Sequence, residues 1–191
     1  MSARFFCPIV EGHGELEALP VLIRRIFVER SPQVVPRINP PIRVKSGSFL
    51  NDQVYFSRYV NLAAAKAAQA GGEILILLDC EDACPATLGP ELLARARGVR
   101  NDVPTTVVLA HREYETWFLA AAESLRGRGL PENVELPAAP EAIRGAKEWL
   151  SRRMAEPYDP IIHQASFSSR FDLAAAGAVP SFARLIDKLI S

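Results

Sequence analysis

An unbroken apolar run in the middle of the chain constrains the fold more than any other feature. Residues 74–78, within the segment EILILLDCED, are all apolar, and acidic residues follow them almost at once. A strand without polar alternation is typical of a parallel sheet that is covered by helices on both faces. A second run of this kind, TTVVLA, lies at residues 105–110. The sequence therefore predicts a three-layer α/β domain around a mostly parallel sheet.

The other patterns in the first 111 residues alternate strands with helices. Strands are also predicted at 4–10 and 42–45, and helices at 16–30, 52–70 and 90–100. Pro8 predicts an edge position or a bulge for the first strand. Pro20 predicts that the first helix begins near Ala18, where a first-turn proline is tolerated. The Pro-rich residues 31–41 are predicted to be a connector.

The second half of the chain shows no convincing strand. Helices are predicted at 113–125, 140–154 and 181–190, and the segment at 130–140 is the best candidate for a linker, although it is short. A chain of 191 residues with 49% hydrophobic residues fits one domain. We therefore expect a single domain over residues 1–191, with an α/β core at 1–111 and a helical extension at 112–191 packed on it.

Charge, hydropathy and cysteine usage exclude several classes of protein. The 22 basic and 22 acidic residues cancel, so no overall field attracts nucleic acid. The apolar runs are far shorter than the ~20 residues of a membrane helix, and neither a span nor a signal peptide is predicted. Cys7, Cys80 and Cys84 contain no CxxC pair and indicate reduced thiols in a cytoplasmic protein. The spacing of Cys80 and Cys84 with His111 is poor for zinc.

Acidic side chains follow three of the predicted strands. They are Glu11 after the first strand, Asp79, Glu81 and Asp82 after the third, and Glu113 and Glu115 after the fourth. The carboxyl ends of parallel strands meet at one edge of the sheet, which is where α/β proteins bind ligands. Carboxylates crowded there repel one another unless a cation joins them, and Mg²⁺ or Mn²⁺ is the natural partner for oxygen ligands.

Each of these acids also has a purely structural interpretation. The segment GHGE is an ordinary strand-to-helix turn, in which Glu15 is favourable at a helix N-terminus. Asp79 suits a helix cap, while Glu81 and Asp82 suit a solvated loop. It is the combination at one sheet edge that favours a metal site.

Other chemistries find little support in the sequence. His13, in a glycine turn, fits a loop residue better than a metal ligand, and Trp117 fits the core better than a base-stacking platform. The chain has no GxGxxG, GxxxxGK[ST] or GxSxG motif. A dinucleotide fingerprint, a P-loop and a serine nucleophile elbow are therefore not predicted.

Two acidic motifs carry a resemblance to a known fold. VEGHGE and LLDCED, each at a strand end, resemble the Toprim fold of topoisomerases, primases and the nucleases of the OLD group. The segments REYETWFLAA, GAKEWL, EPYDPIIHQASF and PSFARLIDKL resemble a family of small, stand-alone bacterial Toprim-like proteins of unknown function. Members of that family often occur with ATPase partners in gene settings of phage-defence type. The likeness covers nearly the whole chain.

The resemblance implies a Mg²⁺-dependent site that acts on phosphodiesters. Glu11 matches the Toprim glutamate, and Asp79 matches the first acid of the DxD motif. The second acid is Glu81 instead of Asp, with Asp82 beside it, so either of these two is the expected second ligand. The leading hypothesis is therefore metal-dependent cleavage of DNA or RNA.

Further roles follow from the same hypothesis. Either the Toprim glutamate or Glu15 is the general base or a ligand of a second metal, and either Glu113 or Glu115 completes that second site. Lys147 or Arg112 offsets the charge of the pentavalent transition state.

The rival hypothesis is a non-catalytic module. In that case the acids bind a metal or a nucleotide, or are vestigial, and the helical half contacts an ATPase. The neutral net charge favours this rival, because a lone nuclease usually carries a basic surface. A basic stripe beside the acids would support the nuclease, and an apolar patch on the helices would support the module.

Overall fold

Five parallel strands form the sheet of the computed structural model, which describes residues 2–191. The strands are β1 (Ser2–Val10), β2 (Val34–Ile38), β3 (Ile42–Arg43), β4 (Glu73–Asp79) and β5 (Thr105–Ala110). Their order is β2–β1–β4–β5, and β3 pairs with the end of β1 beyond β2. All pairs are parallel, which confirms the predicted α/β class.

Strand β2 lies inside the Pro-rich segment that was predicted to be a connector, so that prediction was wrong. The strand is at the sheet edge and its residues are half-buried or exposed, which is why no buried apolar run marks it. Pro36 is tolerated because an edge strand has one side without a partner.

Pro8 lies in a central strand, contrary to the predicted edge position. Phe6 pairs with the last residue of β2, and Ile9 pairs with the first residue of β3. The carbonyls of Phe6 and Val10 accept hydrogen bonds on that side, so Pro8 faces the same side by alternation. Its missing N–H therefore falls in the gap between β2 and β3, outside the paired residues of either strand.

Helices cover both faces of the sheet. The first half contributes α1 (Glu15–Arg30), α2 (Ser46–Asn51), α3 (Gln53–Gln69) and α4 (Pro85–Val99). One apolar cluster joins α1 to the sheet, and a second joins α3 and α4 to the opposite face. Both α1 and α4 begin earlier than predicted, because the carbonyls of Gly14 and Cys84 accept hydrogen bonds from Ala18 and Leu88 before the inner prolines are reached.

The second half is built from short helices. They are α5 (Thr116–Ala120), α6 (Ala146–Ser151), α7 (Ala165–Ser168), α8 (Leu173–Ala176) and α9 (Pro180–Ile190). Turns of 3₁₀ type lie at Ala122–Leu125 and Pro140–Ala142, and a π-turn lies at Pro160–Gln164. The prediction of one long helix at 140–154 is wrong, because Gly145 adopts a left-handed φ of 73° just before α6.

Across residues 2–191, no helix has the length and apolar character needed to span a bilayer.

The helical half shares one core with the sheet. Trp117, Phe118, Leu150 and Phe182 are fully buried, as predicted, in the same apolar cluster as α1 and β1. The Phe118 ring packs edge-on against the rings of Tyr114, Phe167 and Phe171 at centroid distances of 5.4–5.5 Å. These ring contacts lie within the extension, and the shared apolar cluster, together with the hydrogen bond from Arg25 to the Ser168 carbonyl, ties the extension to the α/β core.

Replacing Phe118 with alanine should destabilise both halves together. The lost burial and the cavity left behind lower the free energy of unfolding by about 3–5 kcal/mol. Urea unfolding followed by tryptophan fluorescence, which reports Trp117 and Trp149, should coincide with unfolding followed by circular dichroism.

The matched control is Val54→Ala, since Val54 is 81% exposed on α3 and its loss should change stability by less than about 0.5 kcal/mol. Separate transitions for the two signals, or two stable fragments after proteolysis within residues 130–140, would show that the halves fold independently.

Candidate functional site

The carboxyl ends of β1, β4 and β5 form a charged cavity of about 270 Å³. Its acidic lining consists of Glu11, Asp79, Glu81, Asp82 and Glu113, and its basic lining consists of Arg112, Arg144 and Lys147. Because β1 and β4 are neighbours, and Asp79 pairs with the last residue of β5, three strand ends deliver these groups to one place. The predicted edge of the sheet thus does bring most of the predicted acids together.

A second cavity of about 330 Å³ adjoins the first. Glu11, Asp79 and Lys147 line both, and the second is completed by residues of the GHGE turn, including Glu15, and by residues of the π-turn. His13 is exposed at this cavity. The shared side chains make the two cavities one continuous site.

Lys147 is the centre of the site. Its Nζ lies 3.3 Å from Glu115 Oε2, 3.5 Å from Glu113 Oε2 and 3.6 Å from Asp79 Oδ2. Burial lowers the pKa of Lys147, but the three carboxylates outweigh this effect and raise its pKa above the ordinary value. Lys147 is therefore a fixed positive charge among acids, unlike the solvated lysine that a helix face usually presents.

Glu115 lies beneath the cavities and does not line either of them. The residue is fully buried, and its Oε1 accepts hydrogen bonds from the Tyr158 hydroxyl at 3.0 Å and from Gln164 Nε2 at 3.2 Å. Burial raises the pKa of Glu115, and the ammonium of Lys147 opposes that rise. The metal-ligand role predicted for Glu115 would require its carboxylate to leave these partners.

Asp79 joins the turn after β5 to the charged cluster. Its Oδ1 accepts a hydrogen bond from the Tyr114 amide at 2.8 Å in the turn ahead of α5. This is not the helix cap of the structural interpretation, because neither α4 nor α5 has a side-chain cap. The other oxygen of Asp79 faces Lys147. Burial, together with the charges of Glu15 and Glu115, raises the pKa of Asp79 well above its usual range.

Glu15 closes the turn that follows β1. Its Oε2 accepts hydrogen bonds from the amides of Glu11 at 3.1 Å and Gly12 at 3.3 Å, and the residue is only 3% exposed. Burial raises the pKa of Glu15 to about 7, with the charge of Glu115 adding to it and the two amides opposing it. Beside it, Glu11 Oε1 accepts a hydrogen bond of 2.6 Å from Ser46 Oγ at the start of α2.

Glu81 and Arg112 form the strained side of the site. Among the described residues, they are the two non-glycine residues with positive φ, at 46° and 61°, and the Glu81 amide donates to the Arg112 carbonyl at 3.0 Å. Backbone strain of this kind is concentrated at functional sites. Asp82 forms ion pairs with Arg112 at 3.2 Å and with Arg144 at 2.9 Å.

The donor chemistry fits a hard divalent cation, although the ligands are not arranged around one. In the described part of the chain, no three Asp, Glu, His or Cys side chains converge on a metal position. Lys147 occupies the space among three of the carboxylates, and Asp82 is turned toward two arginines. The candidate ligands that line the charged cavity are carboxylate oxygens, which suit Mg²⁺ or Mn²⁺.

Several site residues were not found from the sequence. Tyr158, Gln164 and Arg144 contact the predicted acids but lie far from them along the chain. The segment EPYDPIIHQASF contains two of them, and its sequence indicates only a family resemblance. No periodicity or strand-end rule points to side chains that reach a site from a π-turn or a loop.

Fold and site together define a class of protein: a parallel α/β domain with an acidic site at the carboxyl edge of its sheet, held by a central lysine. The chain belongs to the family described as "Domain of unknown function (DUF4276)", which matches residues 10–190. This agrees with the resemblance to a stand-alone family of unknown function.

Other comparisons are more distant. No curated protein matches the chain in sequence. Among solved structures, the chain is similar to the C-terminal region of the Burkholderia pseudomallei OLD protein, at 15% identity and a TM-score of 0.46. That similarity covers 99% of this chain and 98% of the other.

Replacing Gly14 with alanine should destabilise the site. A Cβ at this position would collide with Gln164 Oε1 and with the Pro160 carbonyl, so the GHGE turn and the π-turn would have to separate. We expect the free energy of unfolding to fall by about 1–3 kcal/mol, measured by urea titration.

Gly47→Ala is the matched control, because a Cβ there meets no atom within 4 Å and the residue is helical. That variant should be unchanged or up to about 1 kcal/mol more stable. Equal effects of the two substitutions would contradict the close approach.

The buried carboxylate of Glu15 should make stability depend on pH. Its pKa is 4.5 in the unfolded chain and about 7 when folded, so the folded state holds the proton more tightly. This contribution is fully present below pH 4.5 and is lost as the pH rises through about 7. Glu15→Gln should therefore gain stability over the unmodified protein between these values, reaching about 3 kcal/mol above pH 7.

Urea titrations at pH 4.5 and pH 8 measure this difference. Glu17→Gln is the control, since Glu17 is an exposed acid in the same first turn of α1. Its difference from the unmodified protein should be the same at both pH values. The same constancy in Glu15→Gln would mean that Glu15 ionises as it does in the unfolded chain.

Proposed function

We propose that the protein cleaves phosphodiester bonds of nucleic acid in a reaction that depends on Mg²⁺ or Mn²⁺. The observation that carries this proposal is the single cavity in which five carboxylates lie beside Lys147, Arg112 and Arg144. Acids alone would suit a cation, and basic groups alone would suit a phosphate. Both together suit a phosphate ester bound through a metal.

Three positions would hold the metal. They are Glu11 and Asp79, with either Glu81 or Asp82 as the third ligand. A cation bound there polarises the scissile phosphate and lowers the pKa of a bound water. Glu81 and Asp82 are exposed on the loop after β4, so their side chains have room to turn toward Glu11 and Asp79.

The basic residues would bind the substrate and the transition state. The raised pKa of Lys147 keeps its ammonium protonated throughout the neutral range, where it can neutralise developing charge on the phosphoryl oxygens. Arg112 lines the same cavity, and Arg144 is 72% exposed, so its guanidinium can reach a phosphate outside it. A guanidinium offers two parallel donors to a phosphate.

Glu15 is the better of the two candidates for general base. A base is most effective when its pKa lies near the working pH, and burial sets the pKa of Glu15 at about 7. It lines the cavity that shares Asp79 and Lys147 with the charged one. Glu15 would therefore accept a proton from the attacking water on the side of the π-turn.

One observation favours the non-catalytic alternative. Lys147 already forms ion pairs with Asp79, Glu113 and Glu115, so part of their negative charge is compensated without a metal. In this reading the cavity binds a nucleotide or a metal without chemistry, and the protein works with an ATPase partner.

A nuclease assay of Asp79→Asn tests the proposal. Labelled single- and double-stranded DNA and RNA are incubated with the purified protein and Mg²⁺ or Mn²⁺, with EDTA as the metal-free reference. Asparagine keeps the oxygen that accepts the Tyr114 amide but loses the charge that a metal requires. We expect cleavage by the unmodified protein and a loss of roughly 100-fold or more in the variant, at unchanged or slightly higher stability.

Glu123→Gln is the matched control, because Glu123 is 66% exposed and, within residues 2–191, its ion pair is with Arg126 at the surface. It should cleave at the rate of the unmodified protein. If no combination of metal and substrate gives cleavage, even after a candidate ATPase partner is added, the non-catalytic alternative is favoured. A large loss of stability in Asp79→Asn would assign Asp79 a structural role.

A further inference from the structure

The sheet ends at β5, where Val107 is half-buried and Thr105 and Leu109 are buried. This strand is last in the strand order and, among the described strands, pairs only with β4. The amides of Ile74 and Cys80 donate to the carbonyls of Pro104 and Ala110, so the even-numbered residues of β5 face β4. By the alternation of a parallel ladder, the backbone groups of residues 105, 107 and 109 point outward.

A groove runs along this edge between two helices. Helix α4 packs against one face of β5 and α9 packs against the other. Two cavities of about 240 and 370 Å³ open between them, and Gly89, Val107 and Arg184 line both. Together they extend from Thr105 to His111, and we call them the β5 groove. Its length is about 20 Å, that of a six-residue strand.

The β5 groove is positively charged. Arg97 from α4 and Arg184 and Lys188 from α9 line it, are exposed, and form no ion pair within residues 2–191. Arg4 is held by Glu73 at the end of the groove. Glu141 is the acid at the opposite end. The middle of the groove therefore lacks a compensating carboxylate.

We propose that the β5 groove binds an extended, acidic segment of a partner protein, which adds to the sheet as a further strand. The outward amides and carbonyls of β5 would pair with the backbone of this segment, as in other cases of strand addition. Its carboxylates would meet Arg97, Arg184 and Lys188. This inference does not depend on the proposed nuclease activity.

Two other occupants fit the groove less well. A nucleic acid could contact the basic side chains, but its backbone has no amide groups, so the outward carbonyls of β5 would remain unpaired. A second copy paired edge to edge would bring Arg184 and Lys188 of both copies together, and like charges in such pairs repel. The acidic segment satisfies both the backbone and the charges.

A tethered strand tests this proposal without knowledge of the natural partner. Ser191 lines the groove, so a flexible linker of about ten Gly and Ser residues is added after it, followed by three Glu-Val repeats. Tethering provides an effective concentration in the millimolar range. We expect hydrogen exchange at the amides of Val107 and Leu109 to slow at least tenfold compared with the linker alone, and three Lys-Val repeats to give no such protection.

Variants of the tethered protein separate backbone pairing from charge. Val107→Pro removes one outward N–H at an edge position where proline is tolerated, and should abolish protection at Leu109. Arg184→Glu with Lys188→Glu should also abolish it. Arg24→Glu is the control, because Arg24 is exposed on α1, outside the groove, and unpaired within residues 2–191. Thermal unfolding of each variant without the tether confirms that it is folded.

Three outcomes would overturn the proposal. The first is no protection by the acidic strand, or equal protection by the lysine strand. The second is stronger protection of the untethered protein by an oligonucleotide, which would assign the groove to nucleic acid. The third is protection that increases with protein concentration without any tether, which would assign it to a second copy.

Discussion

The ammonium of Lys147 is the interaction on which the rest of the site depends. It lies within 3.6 Å of carboxylates that come from the end of β4 and from the segment between β5 and α5. Without a positive charge, these partly or fully buried acids would repel one another and pay the full cost of desolvation. Because Lys147 belongs to α6, its contact with Asp79 attaches the helical half to the carboxyl edge of the sheet. The charged cluster is thus both the candidate functional site and a contact between the two halves of the chain.

Several energetically unfavourable features lie around the Lys147 cluster. Burial raises the pKa values of Glu15, Asp79 and Glu115, and Glu81 and Arg112 hold left-handed backbone conformations. A cluster that served stability alone could be replaced by apolar side chains of similar volume at no loss, as often holds for buried ion pairs. Costs of this kind concentrated at the carboxyl edge of a parallel sheet are typical of functional sites. The concentration of these costs favours a functional role for the cluster over a purely structural one.

The sequence predicted the long strands that helices cover on both faces, and it failed at the edge strand β2 and at Pro8, where the neighbouring strands decide what is tolerated. Residues 74–78 and 105–110 are covered on both faces, so their apolar runs marked the strands directly. The edge strand β2 has no such run, and Pro8 is tolerated only because β2 and β3 leave a gap opposite it. At the site, strand ends located the acids, since topology alone brings them together. Tyr158, Gln164 and Arg144 could not be located in this way, because only tertiary packing brings their segments to the sheet.

The charged cavity and the β5 groove meet in consecutive residues. His111 lines the groove, and Arg112, the next residue, lines the cavity. The Arg112 carbonyl accepts a hydrogen bond from the Glu81 amide, and both residues have left-handed backbone conformations. A strand added along β5 would end beside this loop, so the backbone that it orders is the one that positions Arg112 and Glu81. Left-handed conformations at two non-glycine residues persist only where surrounding contacts impose them. The loop after β5 therefore joins the two features, since His111 lines the groove and Arg112 lines the charged cavity.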